Sequence, residues 1–533
     1  MLNKRSLNTI TRGLLSTLLA VCLFVPASAQ TKPQLPPDFD AFMHDVLKTF
    51  QVPGMAVGVV QDGKVILNAG YGVRELGKET PVDAHTLFPI ASNSKAFTAT
   101  ALALLVEDGK LEWDAPVIQY LPDFRLSNSY VTEQLSVRDL LVHRSGIAPY
   151  AGDLMQFPPT DFTRKELVYR LRYLPLSTSF RSTYAYDNVL YLVAAEVIQA
   201  VSGKNWEEFI QDRIFQKLGM QESHAYLSKF HDAENKASSH APVDGQVRVL
   251  HHFKEQGLGD ISNPAGGINS NVHDMSKWLL TQLDSGRVGN GQTLFKPSTA
   301  RELWTGVTPI PVPKVPEWMA PAQTDMNSYA LGFRVYTYRG EKMVTHGGKL
   351  DGFVSFVNMV PAHNLGIVVL TNQESTNAYN TVINHLLDYY MGKPSFDWLS
   401  AYKRQEDLKF ERIARIENQA QAEHNENSKP ALPLSAYAGT YEDAWYGKVK
   451  ITQEGDKLMM DFTHSPELKG DMEFWQYNTF VVRWRNRDLR ADAYVTYDLD
   501  ELGKIKRISM KAISPITDVS YDFHDLDLVR VDQ

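Results

Sequence analysis

Residues 87–109 read Leu87-Phe88-Pro89-Ile90-Ala91-Ser92-Asn93-Ser94-Lys95-Ala96-Phe97-Thr98-Ala99-Thr100-Ala101-Leu102-Ala103-Leu104-Leu105-Val106-Glu107-Asp108-Gly109. A strand-like run, Leu87 to Ile90, leads into Ser92–Glu107, which is almost all Ala, Leu, Phe and Thr. Apolar on every side, this segment predicts a buried helix stopped by Asp108-Gly109. Ser92 and Lys95 open it three positions apart, on one helical face. A serine hydroxyl is a weak nucleophile until a neighbour takes its proton. A lysine can do so once burial lowers its pKa. Free N–H groups at the helix start can stabilise an oxyanion. The same spacing recurs at Ser400-Ala401-Tyr402-Lys403, on the edge of a charged linker, where it is read as chance.

Working outward, Phe39–Thr49 has helical spacing. Met55–Val60 and Lys64–Leu67 form a hairpin through Asp62-Gly63. Residues 130–300 are mainly helical patterns, among them Val189–Val201 and His273–Leu283. Val307–Ala322 is proline-rich and should be irregular. Strands return at Tyr329–Tyr336, Lys342–His346, Phe353–Val360 and Gly366–Thr371, followed by a helix over Thr376–Met391. Two early and four late strands around a helical insertion predict an α+β domain: one antiparallel sheet flanked by helices, with a helical subdomain beside it. Lys403–Asn427 reads as an exposed charged helix and linker. From Leu434 the runs Val449–Thr452, Lys457–Phe462, Thr479–Trp484, Ala493–Leu499 and Ile505–Met510 predict a small all-β, barrel-like domain. Arg483, Arg485 and Arg487 alternate there, as an anion site or, more simply, the solvated face of an edge strand.

The 533 residues, 43% hydrophobic and 22% charged, are those of a folded protein of two to four domains. A net charge of −8 argues against a nucleic-acid binder. The single cysteine, Cys22, makes neither an internal disulfide nor a thiolate zinc site. Lys4, Arg5 and Arg12, the apolar run Gly13–Val25 and Ala27-Ser28-Ala29 read as a secretory signal cleaved before Gln30. Its removal takes away Cys22 and shifts the net charge to −11. The chain is therefore expected to be exported, to the periplasm, with no integral membrane segment; lipidation at Cys22 is the alternative. The expected divisions are a signal over 1–29, a catalytic domain over 30–398, a linker over 399–432 and the β domain over 433–533.

Two further elements carry chemistry. Tyr186-Asp187-Asn188 directly precedes the helix at Val189. A tyrosine near lysine can act as a general base, and Asn188 can orient the lysine and donate to a substrate amide. Alternatively, the tyrosine packs on the core and Asn188 caps the helix. His346-Gly347-Gly348 ends a strand. There the glycines admit substrate to the backbone, the Lys349 N–H can complete an oxyanion hole, and His346 can hold a carboxylate or polarise the site. The alternative is a plain turn. No G-x-S-x-G, H-E-x-x-H or phosphate loop occurs. His240 and His251-His252 lack carboxylates at ligand spacing and are read as surface residues, so no metal or cofactor is expected.

The order S-x-x-K, Y-x-N, H-x-G resembles the penicillin-recognising serine hydrolases of class C β-lactamase type, which include D-alanyl-D-alanine carboxypeptidases, D-aminopeptidases and esterases. Leu140-Leu141-Val142-His143-Arg144-Ser145-Gly146 and Pro264-Ala265-Gly266-Gly267-Ile268-Asn269-Ser270 with Asp274 are similar to that family's flanking motifs. The resemblance spans about residues 37–392. Tyr437-Ala438-Gly439-Thr440-Tyr441 is similar to the opening of an appended lipocalin-like barrel. The resemblance implies that Ser92 is the nucleophile, that Lys95 and Tyr186 share proton transfer, and that Asn188, His346, Gly348 and Lys349 bind substrate. It also implies Ser92 and Lys349 N–H groups for the oxyanion. The family's β-lactamases usually carry K-T-G where this chain has His346-Gly347-Gly348. A peptidase or esterase acting on a peptide or small acyl substrate is therefore ranked first. A class C-type β-lactamase and a penicillin-binding or sensor protein without turnover are the alternatives. Oligomeric state is not legible.

Overall fold

The computed structural model describes residues 35–243, 245–251 and 259–531. The expected signal, with Cys22, and His252 lie outside the described residues. Eight antiparallel strands form the central sheet: β1 (Gly54–Gln61), β2 (Lys64–Gly72), β3 (Thr308–Pro309), β4 (Asn327–Tyr329), β5 (Arg334–Tyr338), β6 (Glu341–Leu350), β7 (Phe353–Val360) and β8 (Leu365–Thr371). Their order is β2-β1-β8-β7-β6-β5-β4-β3. β1 pairs with β8, Val57 opposite Val369, so the two ends of the catalytic region close one sheet. The uninterrupted apolar runs of β1 and β8 suit strands covered on both faces.

One face packs under α1 (Phe39–Phe50), α5 (Thr376–Tyr390) and α6 (Trp398–Ala422). Phe39, Met43, Val57, Val369, Leu386 and Trp398 form a continuous core there. On the other face lie α4 (Val272–Leu283) and the helical region built on α2 (Ser94–Glu107) and α3 (Val189–Ser202). Every residue of α2 from Ser94 to Leu105 is buried, as its all-round apolar pattern requires.

Three local readings change. The expected strand Tyr329–Tyr336 divides into β4 and β5, because Gly332 turns the chain with φ +74°. A Cβ at Gly332 would lie 2.6 Å from the Lys95 carbonyl oxygen, so only glycine lets this turn press against α2. The region expected to be irregular contains β3 and a 3₁₀ turn, Glu317–Ala322. His240 is buried rather than on the surface: its Nδ1 faces the Asn372 carbonyl at 2.8 Å and its Nε2 accepts the Leu76 N–H at 3.0 Å.

The C-terminal region is a closed eight-stranded barrel: β9 (Gly439–Asp443), β10 (Gly447–Glu454), β11 (Lys457–Phe462), β12 (Lys469–Gln476), β13 (Thr479–Trp484), β14 (Ala493–Leu499), β15 (Ile505–Ala512) and β16 (Leu528–Arg530). Closure removes the exposed edges of an open sheet. Packed aromatic rings fill the interior, with Tyr446–Phe462 centroids 5.1 Å apart and Tyr437–Tyr497 4.8 Å apart. The alternating arginines do not lie on an edge strand, since β13 is paired on both sides; they are exposed and ion-paired, Arg483 and Arg487 with Asp492 and Arg485 with Asp471.

Candidate active site

Ser92 sits on a 3₁₀ turn, Ala91–Asn93, that feeds α2. Ala91 has φ +48°, a conformation that costs a non-glycine residue about 1–3 kcal/mol and persists only under restraint. The restraint is visible. Ser355 Oγ donates to the Ile90 carbonyl at 2.7 Å and accepts from Asn93 Nδ2 at 2.8 Å. β6 runs against the same turn. A Cβ on Gly348 would meet the Ile90 carbonyl oxygen at 2.3 Å, which is why glycine occupies this position.

Lys95 is fully buried one turn further on. Its Nζ donates to Ser92 Oγ at 3.1 Å, Asn188 Oδ1 at 2.7 Å and the Ala265 carbonyl at 2.8 Å. It also lies over the rings of Tyr186 and Tyr191, 4.9 and 5.2 Å from their centroids. Burial lowers its pKa to about 7, against the opposing attraction of Asp153 and Asp187. The Ala265 acceptor is a main-chain group, so no side-chain pattern announced its contact with Lys95.

Tyr186 faces the same centre, and burial pushes its phenol well above the usual value, with the Ser92 hydroxyl beside it working the other way. Burial thus favours the protonated phenol at the position where a general base is expected. Asn188 is the N-terminal cap residue of α3 but makes no capping bond with its side chain. Its oxygen faces Lys95, while Nδ2 donates to Asp153 Oδ2 at 2.7 Å. His143 packs at a tilt against Tyr186, ring centroids 4.3 Å apart, and accepts the Asp187 N–H at 3.1 Å. Although its Nδ1 is 3.7 Å from Asp187 Oδ2, burial lowers the imidazole pKa and raises the carboxyl to about 7, disfavouring an ion pair.

His346 is also buried and held neutral by desolvation, with the nearby Lys95 charge acting in the same direction. Both ring nitrogens are engaged, Nδ1 with the Gly347 carbonyl and Nε2 with the Tyr329 hydroxyl, each at 2.7 Å. Desolvation thus disfavours a charged imidazole at the position expected to hold a carboxylate. Arg334, bonded to the Tyr184 hydroxyl at 3.3 Å, brings a cation to the cleft instead. The Lys349 side chain is tied to Asp518 at 2.9 Å.

These groups border a cleft of about 700 Å³ in which Ser92, Tyr186, Asn188, His346, Gly348 and Lys349 all take part. Asp518, Val519 and Ser520 come to its wall from the barrel's last connection. Sequence reasoning missed Asp153, Tyr329, Arg334 and these barrel residues, none of which belongs to a local motif. Among the described residues no cluster of three or more His, Cys, Asp or Glu side chains could hold a metal, and no helix is long and apolar enough to cross a membrane.

A helix-covered antiparallel sheet that brings a buried lysine onto the serine at a helix entrance defines a protein of the serine hydrolase class. The chain belongs to the Beta-lactamase family, whose profile matches residues 39–390. Residues 423–530 match a second profile, described as a domain of unknown function, DUF3471. Unguisins hydrolase ungD of Aspergillus violaceofuscus (strain CBS 115571) is 30% identical over 452 residues, covering 78% of this chain and 76% of the relative. The octameric penicillin-binding protein homologue from Pyrococcus abyssi superposes with a TM-score of 0.57 at 20% identity, over 89% of this chain and 98% of its own. A D-stereospecific amidohydrolase from Streptomyces sp. superposes at 0.51 and 22% identity, over 66% and 98%.

Proposed function

We propose that this chain is an exported serine hydrolase that cleaves amide or ester bonds, in D-amino-acid peptides or small acyl esters, through an acyl-Ser92 intermediate. The observation that carries this reading is the 3.1 Å approach of Lys95 Nζ to Ser92 Oγ, at a lysine whose pKa is about 7. Such a lysine is substantially neutral near pH 7 and can take the serine proton, which a solvated lysine cannot. Ser92 Oγ then bonds to the substrate carbonyl carbon. The oxyanion is received by the Ser92 and Lys349 N–H groups. As the C–N or C–O bond breaks, the leaving group takes the proton held by Lys95, by way of the Tyr186 hydroxyl. Water attacks the acyl group by the same route, giving a carboxylic acid and free Ser92.

Hydrolysis is supported by the 30% identity to a relative named as a hydrolase. A peptidase or esterase ranks above a β-lactamase because a neutral His346 stands where the family's β-lactamases carry a lysine. The β-lactamase reading draws on the family itself. The ring-filled barrel gives little support to a sensor that holds its ligand inside the β domain. Export rests on the Lys4-to-Ala29 leader.

A fluorophosphonate or labelled penicillin should modify Ser92 in the wild type and leave Ser92→Ala untouched. Folded wild-type protein that takes neither label overturns the proposal. Nitrocefin turned over as fast as the best p-nitrophenyl ester or D-amino-acid p-nitroanilide would reverse the ranking. An adduct that never deacylates would favour the binding protein.

A further inference from the structure

Asn188 can orient Lys95 only if its amide faces the right way, because the two ends of an amide are sterically alike and chemically opposite. Its oxygen accepts from Lys95 Nζ at 2.7 Å. A flipped amide would instead present N–H to the lysine. Asp153 sets the orientation: it is buried, and its Oδ2 accepts from Asn188 Nδ2 at 2.7 Å. The same oxygen accepts from Ser520 Oγ at 2.8 Å, and Oδ1 accepts from Gln156 Nε2 at 2.7 Å.

Ser520 belongs to the connection between β15 and β16 of the barrel, 367 positions from Asp153. Its neighbour Asp522 fastens that connection to the 150s turn, accepting the Gly152 N–H at 2.7 Å and the Leu154 N–H at 3.0 Å. On the opposite side of the cleft Asp518 holds Lys349 at 2.9 Å. Segment 518–522 thus bridges the turn that carries Asp153 and the end of β6. The continuous chain of contacts runs Ser520–Asp153–Asn188–Lys95–Ser92.

We propose that Asp153 and Ser520 are positioning residues for the Ser92–Lys95 centre: the barrel's Ser520 holds the Asp153 carboxylate, which fixes the Asn188 amide so that its oxygen faces Lys95. This rests on the serine hydrolase reading and extends it, since it makes the C-terminal barrel part of the catalytic apparatus. Other groups also face Lys95: Asp187, Tyr186 and Tyr191 at the entrance to α3, His143, and His346 on β6. Asp153 alone among them connects to the barrel through Ser520.

The test uses the full chain and measures fluorophosphonate labelling of Ser92 against pH, together with kcat and KM for a p-nitrophenyl ester. Ser520→Ala should slow labelling and lower kcat by about tenfold, the scale of one buried hydrogen bond, with KM nearly unchanged. Ser520→Thr, which keeps the hydroxyl, should restore both. Asp153→Asn should be slower still, and its labelling should begin at lower pH, because burial lifts the Asp153 carboxyl to about 7 and the charge it carries above that value raises the pKa of Lys95. Circular dichroism and thermal melts establish that each variant is folded; if Asp153→Asn is not, the Ser520 pair decides. Wild-type rates and pH profile in Ser520→Ala overturn the inference, as does a loss confined to KM, which would make Ser520 a substrate contact. Wild-type protein that never labels at Ser92 fails at the earlier step and overturns both readings, so the two failures are distinct.

Discussion

The Tyr329 hydroxyl lies 2.7 Å from Nε2 of His346, whose Nδ1 faces the Gly347 carbonyl at the same distance. The Gly347 carbonyl can only accept, which places a proton on Nδ1, and desolvation disfavours a second proton on Nε2, leaving that nitrogen to accept from the tyrosine. Imidazole ¹⁵N shifts should therefore show His346 unprotonated through the ordinary histidine range. Tyr329→Phe, which removes the donor from a buried nitrogen, should destabilise the protein by about 1–3 kcal/mol in denaturant melts.

The pH dependence of acylation follows from Lys95. Its folded pKa of about 7 means that the neutral, proton-accepting form grows in as pH rises through that value. Stopped-flow labelling of Ser92 should accelerate over that interval. Lys95→Ala should slow it by about 10²–10⁴-fold, the range for loss of a general base.

Asp187 is fully buried, and desolvation raises its carboxyl from 3.8 to about 7. Between those values the folded state holds a proton that the unfolded state has lost. Its contribution to stability is present below the unfolded pKa and disappears as pH rises through the folded one. Asp187→Asn should therefore stabilise the protein at pH 8 and change little at pH 4. The expected gain is on the order of 1–2 kcal/mol, reduced by the Leu190 N–H, which favours the carboxylate. Urea melts at the two pH values give the comparison.

Gly348→Ala forces a Cβ to 2.3 Å from the Ile90 carbonyl oxygen and 2.5 Å from Ser355 Oγ. The first is backbone and cannot swing away. Overpacking of this kind costs about 1–3 kcal/mol. Because it displaces the Ser92 turn, kcat should fall more than thermal stability would suggest, as esterase assays and melts on one preparation would reveal.

Arg490 of the barrel donates to Glu374 at 2.5 Å and lies 3.2 Å from Asp351, both shielded from solvent. Arg490→Ala removes one of the two cations that face Glu374 and Asp351, Lys349 being the other, a loss of about 1–3 kcal/mol. Limited proteolysis should then cut the linker helix or the 513–527 connection well before the catalytic sheet.

Much of this protein was legible in short stretches of chain. The apolar helix behind Ser92, the Asp62-Gly63 hairpin and the strands on either side of His346 follow from hydrophobic period and turn chemistry, which are local. Ser92, Lys95, Tyr186 and Asn188 were found because each stands at the entrance to a recognisable helix. The split between β4 and β5 was not legible, since Gly332 is demanded by the approach of α2 rather than by its own neighbours. Nor was the acceptor role of the Ala265 carbonyl, a group every residue carries.

By itself the sequence determined the order of elements, the resemblance to the family and which side chains stand at the Ser92 helix entrance, because spacing within a helix or strand sets which residues share a face. Only the tertiary structure decided their chemical state. Burial of Lys95 among Tyr186, Tyr191 and Asn188 brings its pKa to about 7, and the same burial keeps Tyr186 protonated and His346 neutral. It also decided that a barrel residue, Ser520, reaches Asp153 from 367 positions away. Desolvation and long-range hydrogen bonds depend on the whole packed chain, and no window of sequence contains them.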